Sequence, residues 1–252
     1  MKRYIYNYQT IVTLSDEVTN HFLLLRCQPS IGSYMTIDRE HFIISPDYNT
    51  SRGIDHYGNR IIYGGQRDAH RVLAYISTGI VSMQPYKIRS ERGADPIFSV
   101  STPLTALDQK YAIEPSKDAA DEAEEICHKV HNMMSYVPCS TNVGTPASLV
   151  IESLQGVCQD YAHLMIGLCR ISGIPARYAC GFMEGTGATH AWVEIHDGYS
   201  WIAFDPTNDC RIRYGYVKIA HGRDAADCAV SRGIYLGSAI EETQINVTLK
   251  EI

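Results

Sequence analysis

Two patterns of hydrophobic residues divide this chain. In the first 100 residues, apolar and aromatic residues occur in short runs rich in Tyr, Ile, Thr and Val, separated by turn signals. β-Branched and aromatic residues in such runs are typical of antiparallel strands. The pattern predicts a β-rich module folded as a sandwich or small barrel. Its predicted strands are residues 4–12, 20–27, 41–45, 59–63 and 72–77.

Further along, apolar residues recur at steps of three and four, which is the period of an amphipathic helix. Ser116 is the predicted N-cap of this helix, and Pro138 is predicted to end it. A shorter helix is predicted for about residues 145–154, and a third for the stretch GVCQDYAHLMIGLCR (156–170). Strands are then predicted for RYACGF, HAWVEIH, YSWIAFD and, at the end of the chain, QINVTLKEI.

The change of period indicates two units: a β-rich N-terminal module over residues 1–100 and a second domain over residues 101–252. Helices followed by antiparallel strands predict that the second domain is of the α+β class, with helices packed on a sheet. A length of 252 residues suits one domain with a smaller module attached.

Composition limits the function classes. The 22 basic and 28 acidic residues give a net charge of −6, so the chain lacks the basic patch that nucleic-acid binding requires. No secretory signal and no apolar run of about 18 residues occurs, which favours a cytoplasmic protein without a membrane partner. The eight cysteines form no CxxC pair, so reduced thiols are expected rather than disulfides or a zinc ribbon.

One predicted hairpin brings an acid and a base together. Asp197-Gly198 separates HAWVEIH from YSWIAFD, and this pair favours a two-residue hairpin loop. With that loop, His196 faces Tyr199 and His190 faces Asp205. Directly opposed residues share a face of the sheet, so the imidazole of His190 and the carboxylate of Asp205 are expected to form a hydrogen bond.

Cys158 is the candidate nucleophile for this pair. It lies in the first turn of the predicted third helix, where the positive end of the helix dipole favours a thiolate. Packing of that helix across the hairpin would place Cys158 against His190, with Asp205 as the orienting carboxylate. The backbone N–H of Cys158 is the predicted donor to the oxyanion of a tetrahedral intermediate. No second donor is identified.

The motifs GVCQDYAHLMIGLCRISGIPARY, GFMEG, HAWVEI and WIAFDPTND resemble the transglutaminase-like superfamily. This resemblance implies a papain-like α+β core in which Cys158 is the nucleophile, His190 the base and Asp205 the orienting acid. The residues HGRDAAD (221–227) and DHYGN (55–59) are similar to a bacterial branch of proposed cysteine proteases that carries an N-terminal β module.

The predicted function is a cysteine-dependent hydrolase or acyl transferase that acts on peptide or carboxamide bonds through a thioester, with peptidase or amidase activity favoured by the resemblance. The alternatives are a protein-glutamine transglutaminase and a noncatalytic binding or scaffold protein with the same fold. A peptide or protein substrate is expected, and the oligomeric state is left open.

Four further residues are candidates for binding a substrate or a metal ion. His163 and Trp192 are possible substrate-lining residues, although core packing is the favoured role of Trp192. His128 and His131 lie three apart on one helix, but two helical ligands without further partners are typical of a solvated face. No metal, calcium or other cofactor is therefore expected.

Overall fold

The computed structural model describes residues 1–90, 92–112 and 118–252. Within these residues the helices are α1 (Ala119–Met133), α2 (Ala147–Ser153) and α3 (Cys158–Ile171), with short 3-10 helices at Pro96–Ser99 and Gln109–Tyr111. The strands of the first half are β1 (Lys2–Leu25), β2 (Met35–Ser45), β3 (Asn49–Ile54), β4 (Arg60–Gln66), β5 (His70–Met83) and β6 (Ile88–Arg89). Those of the second half are β7 (Ser135–Tyr136), β8 (Gln155–Gly156), β9 (Ala176–Met183), β10 (Gly185–Gly187), β11 (His190–His196), β12 (Ser200–Asp205), β13 (Cys210–Arg211), β14 (Tyr216–Gly222), β15 (Ser231–Leu236) and β16 (Glu241–Glu251).

Strand β1 organises the first sheet. The two strands predicted at residues 4–12 and 20–27 are parts of this single strand, because the sequence between them contains neither Gly nor Pro and the chain stays extended. Its first part pairs with β5 and β16, and its last part pairs with β4 and β15. The pairing with β5 shifts register between Thr13 and Val18, which separates the two parts of the strand.

The end of the chain completes this first sheet. Strand β16 runs antiparallel to β1 from the Tyr4–Glu251 pair to the Leu14–Glu241 pair. Val247 and Leu249 are buried and their neighbours are exposed, as the predicted alternation of QINVTLKEI requires. Residues 231–236 and 241–251 therefore lie in the sheet of the N-terminal module, although the sequence pattern groups them with residues 101–252.

The second sheet carries the helices and confirms the α+β class. Its strand order is β13-β12-β11-β9-β14, with β6 added beside β12. Helix α3 packs on β9 and β11, and α1 and α2 pack on α3. Helices α2 and α3 lie where the sequence predicts them. Helix α1 ends earlier than Pro138, because the chain turns extended at Met134 and forms β7 beside β8. Its predicted N-cap Ser116 lies outside the described residues, and Asp118 Oδ1 accepts a hydrogen bond from Ala120 N.

The predicted register of the β11–β12 hairpin is wrong by two residues. His196 pairs with Trp201 rather than with Tyr199, and Val193 pairs with Phe204. Asp197 lies at the start of the turn, where its Oδ1 accepts hydrogen bonds from the backbone N–H groups of Tyr199 and Ser200. The two-residue loop is therefore Gly198–Tyr199, with Gly198 at φ +95° in the first central position that a type II′ turn gives to glycine.

The two sheets share one hydrophobic core. The rings of Tyr6 and Tyr8 on β1 stack on Phe182 of β9 at centroid distances of 5.6 and 5.3 Å. Tyr86, which follows β5, donates a hydrogen bond from its hydroxyl to Glu194 on β11 at 2.5 Å. The β11–β12 hairpin is consequently buried on both faces, not on one. Among the described helices, none has the length and apolar character that a bilayer crossing requires.

Candidate active site

Cys158 is the first residue of α3, and a buried carboxylate fixes that helix start. Asp160 Oδ2 accepts hydrogen bonds from Val157 N at 2.8 Å and from the Thr141 hydroxyl at 2.6 Å. A Cβ at Gly156 would lie 2.5 Å from the Asp160 Cβ, so only glycine fits there. As the first helical residue, Cys158 has a backbone N–H without an intrahelical acceptor, and that N–H is available to a substrate oxygen.

The structure brings His190 and Asp205 together. His190 Nε2 donates to Asp205 Oδ2 at 2.7 Å, and both side chains are buried. The contact is diagonal rather than directly across the hairpin, because a register change of two residues keeps both side chains on the same face. Cys158 and this imidazole line the same cavity. Since Nε2 is bound to Asp205, Nδ1 is the ring nitrogen left for the thiol.

Four further donors hold the Asp205 carboxylate. Oδ2 also accepts from Asn208 Nδ2 at 2.7 Å and from the Tyr216 hydroxyl at 2.8 Å. Oδ1 accepts from the backbone N–H groups of Thr207 and Asn208. Burial alone would raise the pKa of Asp205, but the hydrogen bonds from His190, Asn208 and Tyr216 and the charge of His190 hold the pKa below its ordinary value. Asp205 is therefore an ionised partner for the imidazole.

The contact with Asp205 also changes the pKa of the His190 imidazole. Burial would lower the pKa of His190, but its hydrogen bonds with Asp205 and Cys158 and the charges of both partners raise the pKa to about 10. An imidazolium ion is then the stable form at neutral pH. A neighbouring imidazolium favours the thiolate form of a cysteine, and the thiolate is the nucleophilic form.

Cys158 and His190 open into a cavity of about 630 Å³. One wall is formed by Tyr178 and Cys180 of β9, and another by the loop that carries Ala225, Ala226 and Cys228. Most of this lining is apolar or uncharged. The arrangement gives a thiol, an imidazole and a free backbone N–H access to one concave surface, as covalent catalysis at a carbonyl group requires.

The N-terminal module holds the loop that walls this cavity. Asn59, which ends the DHYGN turn, donates from Nδ2 to His221 O and accepts at Oδ1 from His221 N, both at 2.8 Å. The Tyr57 hydroxyl donates to Asp227 Oδ2 at 2.7 Å. The DHYGN turn (55–59) and the HGRDAAD segment (221–227) are therefore joined by hydrogen bonds. The turn positions residues 221–227 beside Cys158.

Asn59→Ala is expected to lower the free energy of unfolding by about 2 kcal/mol, because the fully buried Asn59 side chain pairs both polar backbone groups of His221. Urea denaturation measures the loss. Asn7→Ala, at an exposed position of β1, is the matched control and should leave the urea midpoint unchanged. Equal midpoints for the two variants would contradict a structural role of the turn.

His163 and Trp192, the possible substrate-lining residues, are not among the residues that line this cavity. His163 is fully buried, and its Nε2 accepts a hydrogen bond from Ala225 N at 3.1 Å, so it supports the cavity wall from behind. Burial lowers the pKa of His163 to about 4, which keeps this acceptor neutral. Trp192 is fully buried and donates from Nε1 to the Tyr86 hydroxyl, which agrees with core packing.

The two histidines of α1 point to separate partners. His128 Nδ1 contacts Asp209 Oδ2 at 2.8 Å, and His131 Nδ1 contacts Thr207 O at 3.1 Å. Within the described ranges no group of three or more His, Cys, Asp or Glu side chains is arranged to hold a metal ion. The two side chains instead join α1 to the segment that follows Asp205.

Sequence reasoning missed the residues that orient Asp205. Asn208 had a usable signal, because an Asp followed by an Asn at the third position in DPTND is typical of a side-chain-bonded turn. Tyr216 had none, because it reaches Asp205 from β14 through a pairing with β9 that is not local in sequence.

Comparisons with known proteins agree with this fold. Residues 106–206 match the model of the transglutaminase-like superfamily. An uncharacterized protein of Mycobacterium leprae (strain TN) is 26% identical over 265 residues, which cover 93% of each chain. An uncharacterized protein of Mycobacterium tuberculosis (strain H37Rv) is 27% identical over 98% of this chain and 91% of its own length. The crystal structure of a proposed cysteine protease from Cytophaga hutchinsonii superposes with a TM-score of 0.82 at 25% identity, covering 100% of this chain and 91% of that one.

Proposed function

We propose that this chain, whose residues 106–206 match the transglutaminase-like superfamily, is a cysteine-dependent hydrolase of peptide or carboxamide bonds. The observation that carries the proposal is the 2.7 Å contact between His190 and Asp205 beside a helix-terminal thiol in one cavity. Cys158 is the proposed nucleophile, His190 the general acid and base, and Asp205 the residue that orients His190.

In the proposed acylation step, the Cys158 thiolate attacks the carbonyl carbon and forms a C–S bond. The carbonyl oxygen becomes an oxyanion, which accepts a hydrogen bond from the Cys158 backbone N–H. His190 Nδ1–H gives its proton to the leaving nitrogen as the C–N bond breaks, so that an amine or ammonia departs and a thioester remains. Asp205 keeps the ring oriented while it is charged.

Deacylation decides between hydrolysis and transfer. In hydrolysis, neutral His190 takes a proton from water as the water oxygen attacks the thioester, and the C–S bond breaks to give a carboxylic acid and the Cys158 thiolate beside the His190 imidazolium. An amine in place of water would give an amide, which is the transglutaminase reaction. The similarity to the proposed cysteine protease of Cytophaga hutchinsonii favours the hydrolase, and amine transfer is the alternative.

Cys158 is expected to react with iodoacetamide about ten times faster than Cys139 at pH 6, because Cys158 is the first residue of α3 and shares a cavity with the His190 imidazole. Cys139 is the matched control, since it is an exposed free cysteine and Cys158 is only partly exposed. Mass mapping of labelled peptides gives both rates, and Cys158→Ala should remove the fast phase. Faster labelling of Cys139 than of Cys158 would contradict the proposal that Cys158 is an activated thiol.

Product analysis separates the remaining functions. Ammonia release from a glutamine peptide, fragment release from casein and incorporation of a fluorescent amine into casein report amidase, peptidase and transglutaminase activity. Loss of a measured activity in Cys158→Ala supports the assignment, and its retention contradicts it. An activated Cys158 without any of the three products would favour the noncatalytic binding protein.

A further inference from the structure

A second cavity, of about 270 Å³, lies between the N-terminal module and the second sheet. Arg177 and Lys218 line it from β9 and β14, Ser30 from the segment after β1, and Arg89 from β6. Consecutive residues of a strand point to opposite faces, and Tyr178 lines the Cys158 cavity while Arg177 lines this one. The two cavities therefore lie on opposite sides of β9.

Three buried polar atoms in the lining have no hydrogen-bond partner among the residues that the structure describes. They are the Ser30 hydroxyl, the Tyr34 hydroxyl and His221 Nδ1. Buried polar groups in proteins are nearly always hydrogen-bonded, so such atoms in one cavity call for an explanation. A bound molecule with hydrogen-bonding groups would satisfy them.

Among the described residues, positive charges outnumber negative charges beside the cavity. Arg177 Nε contacts Glu194 Oε2 at 2.5 Å, and Lys218 Nζ contacts Glu194 Oε1 at 2.6 Å. Two buried cations thus share one carboxylate, and exposed Arg89 adds a third positive charge at the edge of the cavity. Burial and the charge of Arg177 outweigh Glu194 and lower the pKa of Lys218 to about 8. A bound anion would supply the missing negative charge.

We propose that this cavity is a binding site for a small organic anion. The carboxylate or phosphate group of the ligand lies beside Arg177 and Lys218 and accepts a hydrogen bond from the Ser30 hydroxyl. Its apolar portion lies against Ile88, Tyr57 and the edge of Trp201, which line the same cavity. The site is separate from Cys158 and stands whether or not the chain is a hydrolase.

Calorimetric titration of the full chain tests the site. The probes are benzoate, phenyl phosphate and inorganic phosphate, with benzamide as the uncharged analogue. At least one anion is expected to bind, whereas benzamide is not, and the preferred probe distinguishes a carboxylate from a phosphate ligand. Cys158→Ala should bind with unchanged affinity, because Cys158 lies on the other side of β9.

Ser30→Ala is the decisive variant, because its hydroxyl has no partner to lose among the described residues. It should weaken anion binding about tenfold, which is the effect of one hydrogen bond to a charged group. Its urea midpoint should not fall. Ser77→Ala removes a buried hydroxyl from β5 outside the cavity and should leave anion affinity unchanged. Arg89→Gln should weaken binding at low salt.

Three results would overturn the proposal. The first is that none of the three anions binds at millimolar concentration. The second is that benzamide binds as tightly as benzoate, which would make the site apolar rather than anionic. The third is that Ser30→Ala and Arg89→Gln both bind with wild-type affinity.

Discussion

Asp205→Ala is expected to lower the rate of substrate turnover by about 10⁴-fold, which is the scale for loss of the orienting acid of a triad. Asp205 supports the imidazolium through the 2.7 Å hydrogen bond and through its charge. Without it, the hydrogen bond and the charge that oppose burial most strongly are lost, and the pKa of His190 falls from about 10. Release of ammonia or peptide fragments measures the rate.

The pH dependence of Cys158 labelling distinguishes the role of Asp205 in supporting the imidazolium from a general loss of structure. As the pKa of His190 falls, iodoacetamide labelling of Cys158 at pH 6 to 7 should slow in Asp205→Ala, because less imidazolium is present to favour the thiolate. Asp209→Ala, four residues further on and bound to His128, is the matched control and should keep the wild-type profile. An unchanged labelling profile in Asp205→Ala would show that Asp205 does not support the imidazolium.

Glu194→Gln is expected to cause the largest loss of stability, about 3 to 5 kcal/mol, because it leaves two buried cations without a counter-charge. The carboxylate of Glu194 is fully buried and binds Arg177, Lys218 and the Tyr86 hydroxyl. Guanidinium denaturation at pH 7 measures the loss. Glu251→Gln removes one partner of the surface pair with Lys2 and should not change the midpoint measurably.

Acid titration gives an independent check on Glu194. Burial would raise its pKa, but Arg177 and Lys218 outweigh burial and hold the pKa well below its ordinary value of 4.5. A carboxyl group with a depressed folded pKa contributes stability above its unfolded pKa and loses it as the pH falls. Wild-type stability should therefore decrease below about pH 4.5, and the decrease should be smaller in Glu194→Gln. Identical acid profiles would contradict the ionised state.

The sequence was sufficient to predict the face of the sheet on which each site residue lies, but not which residues pair across the β11–β12 hairpin. Alternation along HAWVEIH and YSWIAFD placed His190 and Asp205 on one face, and a slip of two residues preserves that face. The register depended on whether Asp197 stands inside the loop or at its start. The side chain of Asp197 decides this by accepting two backbone hydrogen bonds, and the Asp-Gly pair alone does not reveal that choice.

Long-range pairings account for the other gaps. The helix start at Cys158 follows from local signals, namely Gly156 and the Asp160 side chain. Tyr216, which holds Asp205, and the three groups bound to Glu194 are distant in sequence from the carboxylates they contact, so no local pattern predicts these contacts. The burial of Trp192 also depends on tertiary packing, because the N-terminal module covers the face of the second sheet that carries Trp192.

The pairing of β1 with β16 also sets an order of folding. Strand β1 is made before β9 to β14, yet β16, one of its two partners along residues 4–14, is made after them. Contacts between residues so far apart in sequence form slowly, because a large loop must close before they stabilise the chain. Helix α3 and strands β9 to β14 are complete before β16 emerges. The helices and the second sheet can therefore collapse on the nascent chain, while one edge of β1 stays open until β16 is made.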